Sequence, residues 1–229
     1  NNWAIKSSTF ALKSHGNHII TSAIEHAAVI EVCEWFKTQG FEITYLPVDT
    51  QGFVSPDDLE QAIRPETILV SIMHANNEMG AIQDIAALGH IARKHGVLFH
   101  TDAVQTVGKL AIDLEALPVD LLSCSAHKLY GPKGIGFLYA NAAARQILQP
   151  LLHGGGQEYG LRSGTENLAS IVGMAKALEL AVESLESEQA RQRVLQQKLI
   201  DGILAIAPEA GLNGPSDLSL RLANNINFS

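Results

Sequence analysis

Strand-like apolar runs alternate with amphipathic helical stretches through residues 18–125, and few folds accommodate that alternation. Residues 18–24 form a short β-rich run. Ala28, Val29, Val32, Cys33 and Phe36 then recur at helical spacing and stop before Gly40. Residues 41–46 alternate as a strand, and Ser55-Pro56-Asp57-Asp58 supplies an N-cap, a proline at the first helical position and acids in the first turn. Residues 67–73 are a continuous apolar run of the kind buried on both faces of a sheet. Asp84 opens a helix through Ile85, Leu88, Ile91 and Ala92 that ends near Gly96, and strands follow over 97–100 and 120–125. Beyond Gly164 one long, charged helical segment is predicted to about Ala207, broken by Pro208 and Gly211. This order predicts an α/β fold, a mostly parallel sheet with helices on both faces.

Composition narrows the function classes. Hydrophobic residues make up 46% of the 229, enough for a substantial core. Acidic residues outnumber basic ones 24 to 16, a net charge of −8 that argues against binding a nucleic-acid backbone. No apolar run approaches the roughly 18 residues that span a bilayer, and no signal-peptide pattern opens the chain, so no membrane partner and a cytoplasmic setting are expected. The two cysteines, Cys33 and Cys124, sit in helical and strand patterns and form neither a CxxC pair nor a metal-ligand spacing. They read as small buried hydrophobes.

In parallel α/β sheets ligands bind beyond the carboxyl ends of the strands. Those ends carry Glu25-His26, His74-Ala75-Asn76-Asn77-Glu78, Asp102-Ala103-Val104-Gln105 and Ser125-Ala126-His127-Lys128. Taken singly, Asp102 reads as a helix cap and Lys128 as a solvated surface charge. Together they are what pyridoxal phosphate requires: a lysine amine to hold the cofactor as a Schiff base, and a buried carboxylate to keep its ring nitrogen protonated. Ser125 and His127 offer phosphate ligands beside Lys128, and His26 a flat ring able to stack on the cofactor. His100 and Asp102, with His95 nearby, complete no metal-ligand set, and no metal is expected. The Gly154-Gly155-Gly156 run lacks the G-x-S-x-G elbow of lipases, and residues 131–136 lack the Gly-Lys-Ser/Thr triplet of a P-loop.

Five motifs occur in order: Thr21-Ser22-Ala23-Ile24-Glu25-His26, His74-Ala75-Asn76-Asn77-Glu78, His100-Thr101-Asp102-Ala103-Val104-Gln105, Ser125-Ala126-His127-Lys128 with Tyr130-Gly131-Pro132-Lys133-Gly134, and Gly154-Gly155-Gly156-Gln157-Glu158 with Arg162-Ser163-Gly164-Thr165-Glu166-Asn167. Their arrangement resembles the cysteine desulfurases, the class V aminotransferase group of fold-type I pyridoxal phosphate enzymes, and in its Gly-rich run the branch serving nitrogen fixation and iron–sulfur assembly. The resemblance covers essentially the whole chain. It implies conversion of L-cysteine to L-alanine, with the sulfur passed to an enzyme cysteine as a persulfide and on to an iron–sulfur scaffold or other acceptor protein. Lys128 would hold the cofactor and shuttle the α-proton, Asp102 would pair with the ring nitrogen, and Gln105 would hydrogen-bond the phenolic oxygen. His26 would stack on the ring and act as an acid–base group, with Asn77 near the same oxygen. Ser125 and His127 would bind the phosphate, and Thr165 would reach the phosphate of the neighbouring subunit of a homodimer.

Three family features have no counterpart: the upstream Gly/Ala-Thr phosphate loop, the nucleophilic cysteine and the arginine that clamps the substrate carboxylate. The chain opens on Asn1-Asn2-Trp3 without an initiator Met and closes on a run that reads like a strand cut midway. It is therefore expected to be a fragment, with residues 1–175 most of a large cofactor domain and 176–229 a connecting helix and the start of a small domain. The charged stretch from Glu183 to Lys198 is expected to be a solvated helix face. Two alternatives stay open: a selenocysteine lyase or aminotransferase on the same scaffold, and a non-catalytic module that binds the cofactor or a partner.

Overall fold

The computed structural model describes residues 1–229. The elements run α1 (Asn2–Leu12), β1 (His18–Ser22), α2 (Ala27–Thr38), β2 (Glu42–Leu46), α3 (Pro56–Ala62), β3 (Thr67–Ser71), α4 (Ile85–Lys94), β4 (Leu98–Asp102), β5 (Leu121–Ser125), β6 (Gly136–Ala140), α5 (Ala142–Ile147), α6 (Leu168–Glu183) and α7 (Leu185–Ile206). One six-stranded sheet has the order β2-β1-β3-β4-β5-β6. All pairs are parallel except β5–β6. The expected α/β class and mostly parallel sheet are therefore present.

Parallel neighbours need crossovers, and local signals start the crossover helices. Ser55 caps α3 by accepting the Asp58 N–H, with Pro56 in the first turn, and Asp84 caps α4 by accepting the Ala87 N–H. Alternation along the strands sends side chains to two cores. Ile20, Val70, Phe99 and Leu122 meet Leu59 of α3 and Ile85, Leu88 and Ala92 of α4 on one face. Ile19 and Leu69 meet Ile5 of α1 and Val29, Val32, Cys33 and Phe36 of α2 on the other. β3 is buried along its whole length, as its unbroken apolar run requires.

Four features depart from the sequence-based reading. The helix α1 lacks a side-chain cap, which removes the usual start signal. The β4–β5 connection contains turns but no α-helix. The helical segment after Gly164 is two helices meeting at Ser184, whose backbone N–H still bonds Leu180 and whose carbonyl accepts the Glu188 N–H. The run at 225–229 forms no strand; Phe228 makes a single bridge to Leu212. The Glu183–Lys198 stretch is largely exposed as expected, with Gln196 buried inward.

Candidate active site

Because β1, β3, β4 and β5 are sheet neighbours and parallel, their carboxyl ends open on one edge. Motifs far apart in sequence meet there around a cavity of about 1240 Å³. His26, Asn77, Asp102, Gln105, Ser125, His127 and Lys128 all line it, and so does Thr165, which was expected at the site of a neighbouring subunit. Ile171 and Met174 of α6 close one wall.

Asp102 ends β4 and is buried. It caps a turn rather than a helix: Oδ1 accepts the Val104 N–H at 2.9 Å, and Oδ2 accepts from Asn1 Nδ2 at 2.6 Å. Gln105 follows in that turn. Its Oε1 lies 3.4 Å from Lys109 Nζ, which also donates to the Gln105 carbonyl at 3.2 Å, so the Gln105 amide nitrogen is the group left free to donate. Burial, reinforced by the nearby Lys128, lowers the Lys109 ammonium to about 8. Sequence reasoning missed Lys109; its spacing of four from Gln105 was the available signal.

His26 is the N-cap of α2, and its Nδ1 accepts the Ala28 N–H at 3.1 Å. A ring nitrogen that accepts carries no proton, so the proton of the neutral ring sits on Nε2. Lys128 lies on a 3-10 turn, Ala126–Leu129, that leaves β5 directly. Tyr130 ends it in the left-handed region at φ 65°. The return strand begins at Gly136, where a Cβ would stand 2.4 Å from the Cys124 carbonyl oxygen; only glycine permits that approach, and the tight closure fixes the turn. Ser125 Oγ and His127 Nδ1 are 2.8 Å apart on the same turn. Thr165 and Arg162 reach the cavity from an exposed loop before α6.

Beneath the cavity the two buried imidazoles are hydrogen-bonded, and one buried carboxyl is only half satisfied. His74 Nδ1 bonds Thr106 Oγ1 at 2.9 Å, and burial lowers the imidazole to about 4. His100 sits between Ser71 Oγ and Ser123 Oγ, each at 2.8 Å, so its ring is spent on the sheet rather than on a metal set with Asp102. Glu25 is buried. Its Oε1 accepts from Ser22 Oγ at 2.6 Å and from the Met73 N–H at 2.8 Å, while Oε2 is buried without a partner. Burial raises this carboxyl to about 8, against the pull of those hydrogen bonds. It ties the loop that presents His26 to the end of β3.

A pH dependence follows. Glu25 titrates near 4.5 when unfolded and near 8 when folded, so the folded protein binds this proton more tightly. Stability from this group is complete below 4.5 and declines as pH rises to about 8, by at most about 1.4 kcal/mol per pH unit. Glu25→Gln is expected to remove that slope, so that urea unfolding from pH 5 to 8 shows the variant gaining on the wild type as pH rises. A constant difference across that range would mean that the carboxyl is ionised in the fold throughout.

The donor set fits pyridoxal phosphate: one buried carboxylate at the cavity, an accessible amine, a hydroxyl–imidazole pair and two side-chain amides, Gln105 and Asn77.

The class V aminotransferase family model matches residues 1–229, the full length of the chain. The chain belongs to the class V aminotransferase family. This family member is 52% identical over 228 residues to cysteine desulfurase IscS of Clostridium botulinum, a match covering 100% of the chain and 57% of the relative. It superimposes on a solved NifS-like protein with a TM-score of 0.93 and 42% identity, over 100% of the chain and 61% of that protein. A structure of SspA in complex with cysteine matches with a TM-score of 0.75 and 47% identity, over 78% of the chain and 51% of that structure. The class V chain thus spans little more than half the length of the curated relatives it matches.

Proposed function

We propose that this class V chain is part of a pyridoxal phosphate-dependent cysteine desulfurase that converts L-cysteine to L-alanine and passes the sulfur to a protein thiol. The observation that carries this reading is the meeting of Asp102, Lys128, Ser125 and His127 on one cavity at the carboxyl edge of the sheet. The relatives named cysteine desulfurase support the substrate. When bound, pyridoxal phosphate supplies an electron sink for the α-carbon of an amino acid. The protein supplies the rest. The carboxylate of Asp102 holds a proton on the ring nitrogen. Lys128 Nζ would hold the cofactor and would take and return the α-proton. Ser125 and His127 donate to the phosphate, and the free amide nitrogen of Gln105 donates to the phenolic oxygen. His26 would pack against the ring, with its Nε2–H left available as a hydrogen-bond donor. Asn77 acts beside the phenolic oxygen.

Neither cysteine of this chain suits the sulfur-accepting role. Burial pushes the Cys33 thiol to about 12 and the Cys124 thiol to about 11, so both are neutral near pH 7. Cys33 packs in the α1–α2 core, and Cys124, although it borders the cavity, packs its side chain in the larger core. The acceptor is proposed to be a different cysteine of the whole protein. Cys33→Ala and Cys124→Ala in the full-length enzyme are expected to keep turnover within about twofold and to cost about 1 kcal/mol of stability each. Persulfide trapped on either, forming as fast as alanine, would reassign the acceptor.

Thr165 is proposed to serve the neighbouring subunit of a homodimer. Leu168 and Val172 of α6, 69% and 59% exposed, support a partner on this side. The sulfur acceptor is proposed to be an iron–sulfur scaffold or similar protein, and residues 176–229 the link to a second domain. No helix is long and apolar enough to cross a membrane, and a cytoplasmic setting is proposed. The decisive assay incubates the full-length protein with pyridoxal phosphate and L-cysteine. Equal amounts of alanine and protein-bound sulfane sulfur are expected. A visible cofactor band with no alanine would favour another reaction on this scaffold, and no band at all a non-catalytic module.

A further inference from the structure

We propose that Arg221 and Asn225 form a clasp that positions the Asn77 loop at the cavity without touching cofactor or substrate. The inference rests on the reading of that cavity as the cofactor site. Arg221 is the largest fully buried side chain of the protein, at 0% exposure, and no carboxylate pairs with it. Its guanidinium donates from Nε to the Pro215 carbonyl at 3.0 Å, from Nη1 to Asn225 Oδ1 at 2.9 Å and from Nη2 to the Asn213 carbonyl. A cation buried among neutral acceptors is costly, and apolar packing of the same volume would hold a core more cheaply. Its geometry organises one loop instead.

Asn225 is the link. Its Oδ1 accepts from Arg221, which aims Nδ2 at the opposite strand of chain, where it donates to the Glu78 carbonyl at 2.8 Å. Asn227 Nδ2 reaches the same carbonyl at 3.2 Å. The backbone seals the contact: the Leu222 N–H bonds the Gly80 carbonyl at 2.9 Å, and the Ile82 N–H bonds the Leu220 carbonyl at 3.0 Å. Gly80 has φ +73°, and a Cβ there would stand 2.5 Å from Asn225 Oδ1, so the fit leaves no room for a side chain. From behind, the buried Gln196 of α7 donates to the Leu222 carbonyl at 2.9 Å and the Asn225 carbonyl at 2.6 Å. Within the loop Asn76 accepts the Glu78 and Met79 N–H groups at 2.9 and 2.8 Å and donates to the Ile24 carbonyl at 2.9 Å. An unbroken path of hydrogen bonds and backbone therefore runs from Arg221 through Asn225 to Asn77, which lines the cavity.

Asn225→Asp separates this role from simple stability. The new carboxylate gives Arg221 the counter-ion it lacks, so the melting temperature of the full-length protein should hold or rise. It cannot donate to the Glu78 carbonyl, so the loop should loosen. In the cofactor-free protein, amide exchange at residues 77–80 is expected to be about three- to tenfold faster, the change one net hydrogen bond produces. With pyridoxal phosphate, Asn225→Asp should lower kcat more than it raises KM, and adding it to Asn77→Ala should cost no more than Asn77→Ala alone. Unchanged exchange at 77–80, or a double variant whose losses multiply in full, would overturn the clasp. If the wild type binds no pyridoxal phosphate, the functional reading fails, while the exchange measurement still decides the clasp.

Discussion

Lys128→Ala is expected to abolish the visible absorbance of bound pyridoxal phosphate and to lower turnover of the full-length enzyme by about 10³-fold or more, with the fold intact. The side chain is exposed on a 3-10 turn and contributes nothing to either core, so its removal leaves packing undisturbed. Its turn is held by the neighbours, through Leu129 in the core and the close approach of Gly136 to β5. The structure also names the rival amine. Lys109, lowered to about 8, has an appreciable neutral fraction near pH 7 and shares the electrostatic surroundings of Lys128. Borohydride reduction followed by peptide mapping separates the two. An adduct on Lys128 in the wild type and none in the variant is the expected result. An undiminished adduct on Lys109 or Lys133 in the variant would relocate the attachment.

Asp102→Asn should cut turnover by at least about a hundredfold while weakening cofactor affinity far less. The amide keeps the size of the side chain, and its oxygen still accepts the Val104 N–H that fixes the turn. What it loses is the acceptor for Asn1 Nδ2 and the negative charge that holds a proton on a ring nitrogen, and with that charge the stabilisation of charge developing at the α-carbon. A role confined to packing would give the opposite pattern: weaker binding, a lower melting temperature and nearly normal turnover of the bound fraction. Titrating the cofactor by absorbance and measuring single turnovers on the saturated variant distinguishes them. Single-turnover rates within threefold of wild type would remove Asp102 from the reaction.

Much of the architecture was legible because it rests on local signals. Ser55 and Asp84 cap helices through hydrogen bonds to residues three positions on, and the apolar run at 67–73 states its own burial. The same locality explains what was not read. Helix α1 has no capping side chain, and β6 acquires its pairing only from the β5 strand it folds back against. The break at Ser184 involves neither Gly nor Pro at the junction.

The candidate site divides along the same line. The residue types and motif order by themselves determined which side chains stand at strand ends, and so which chemistry the chain can assemble. Only the tertiary structure decided that those ends meet, because the order β1-β3-β4-β5 is set by crossovers spanning tens of residues. The supporting groups escaped sequence reading for the same reason. Glu25 becomes a neutral acid through enclosure at the end of β3, Lys109 loses basicity through burial near a second lysine, and Arg221 gains its role by lying against a loop from the far half of the chain. Charge state and orientation depend on neighbours in space, and sequence order does not specify those neighbours.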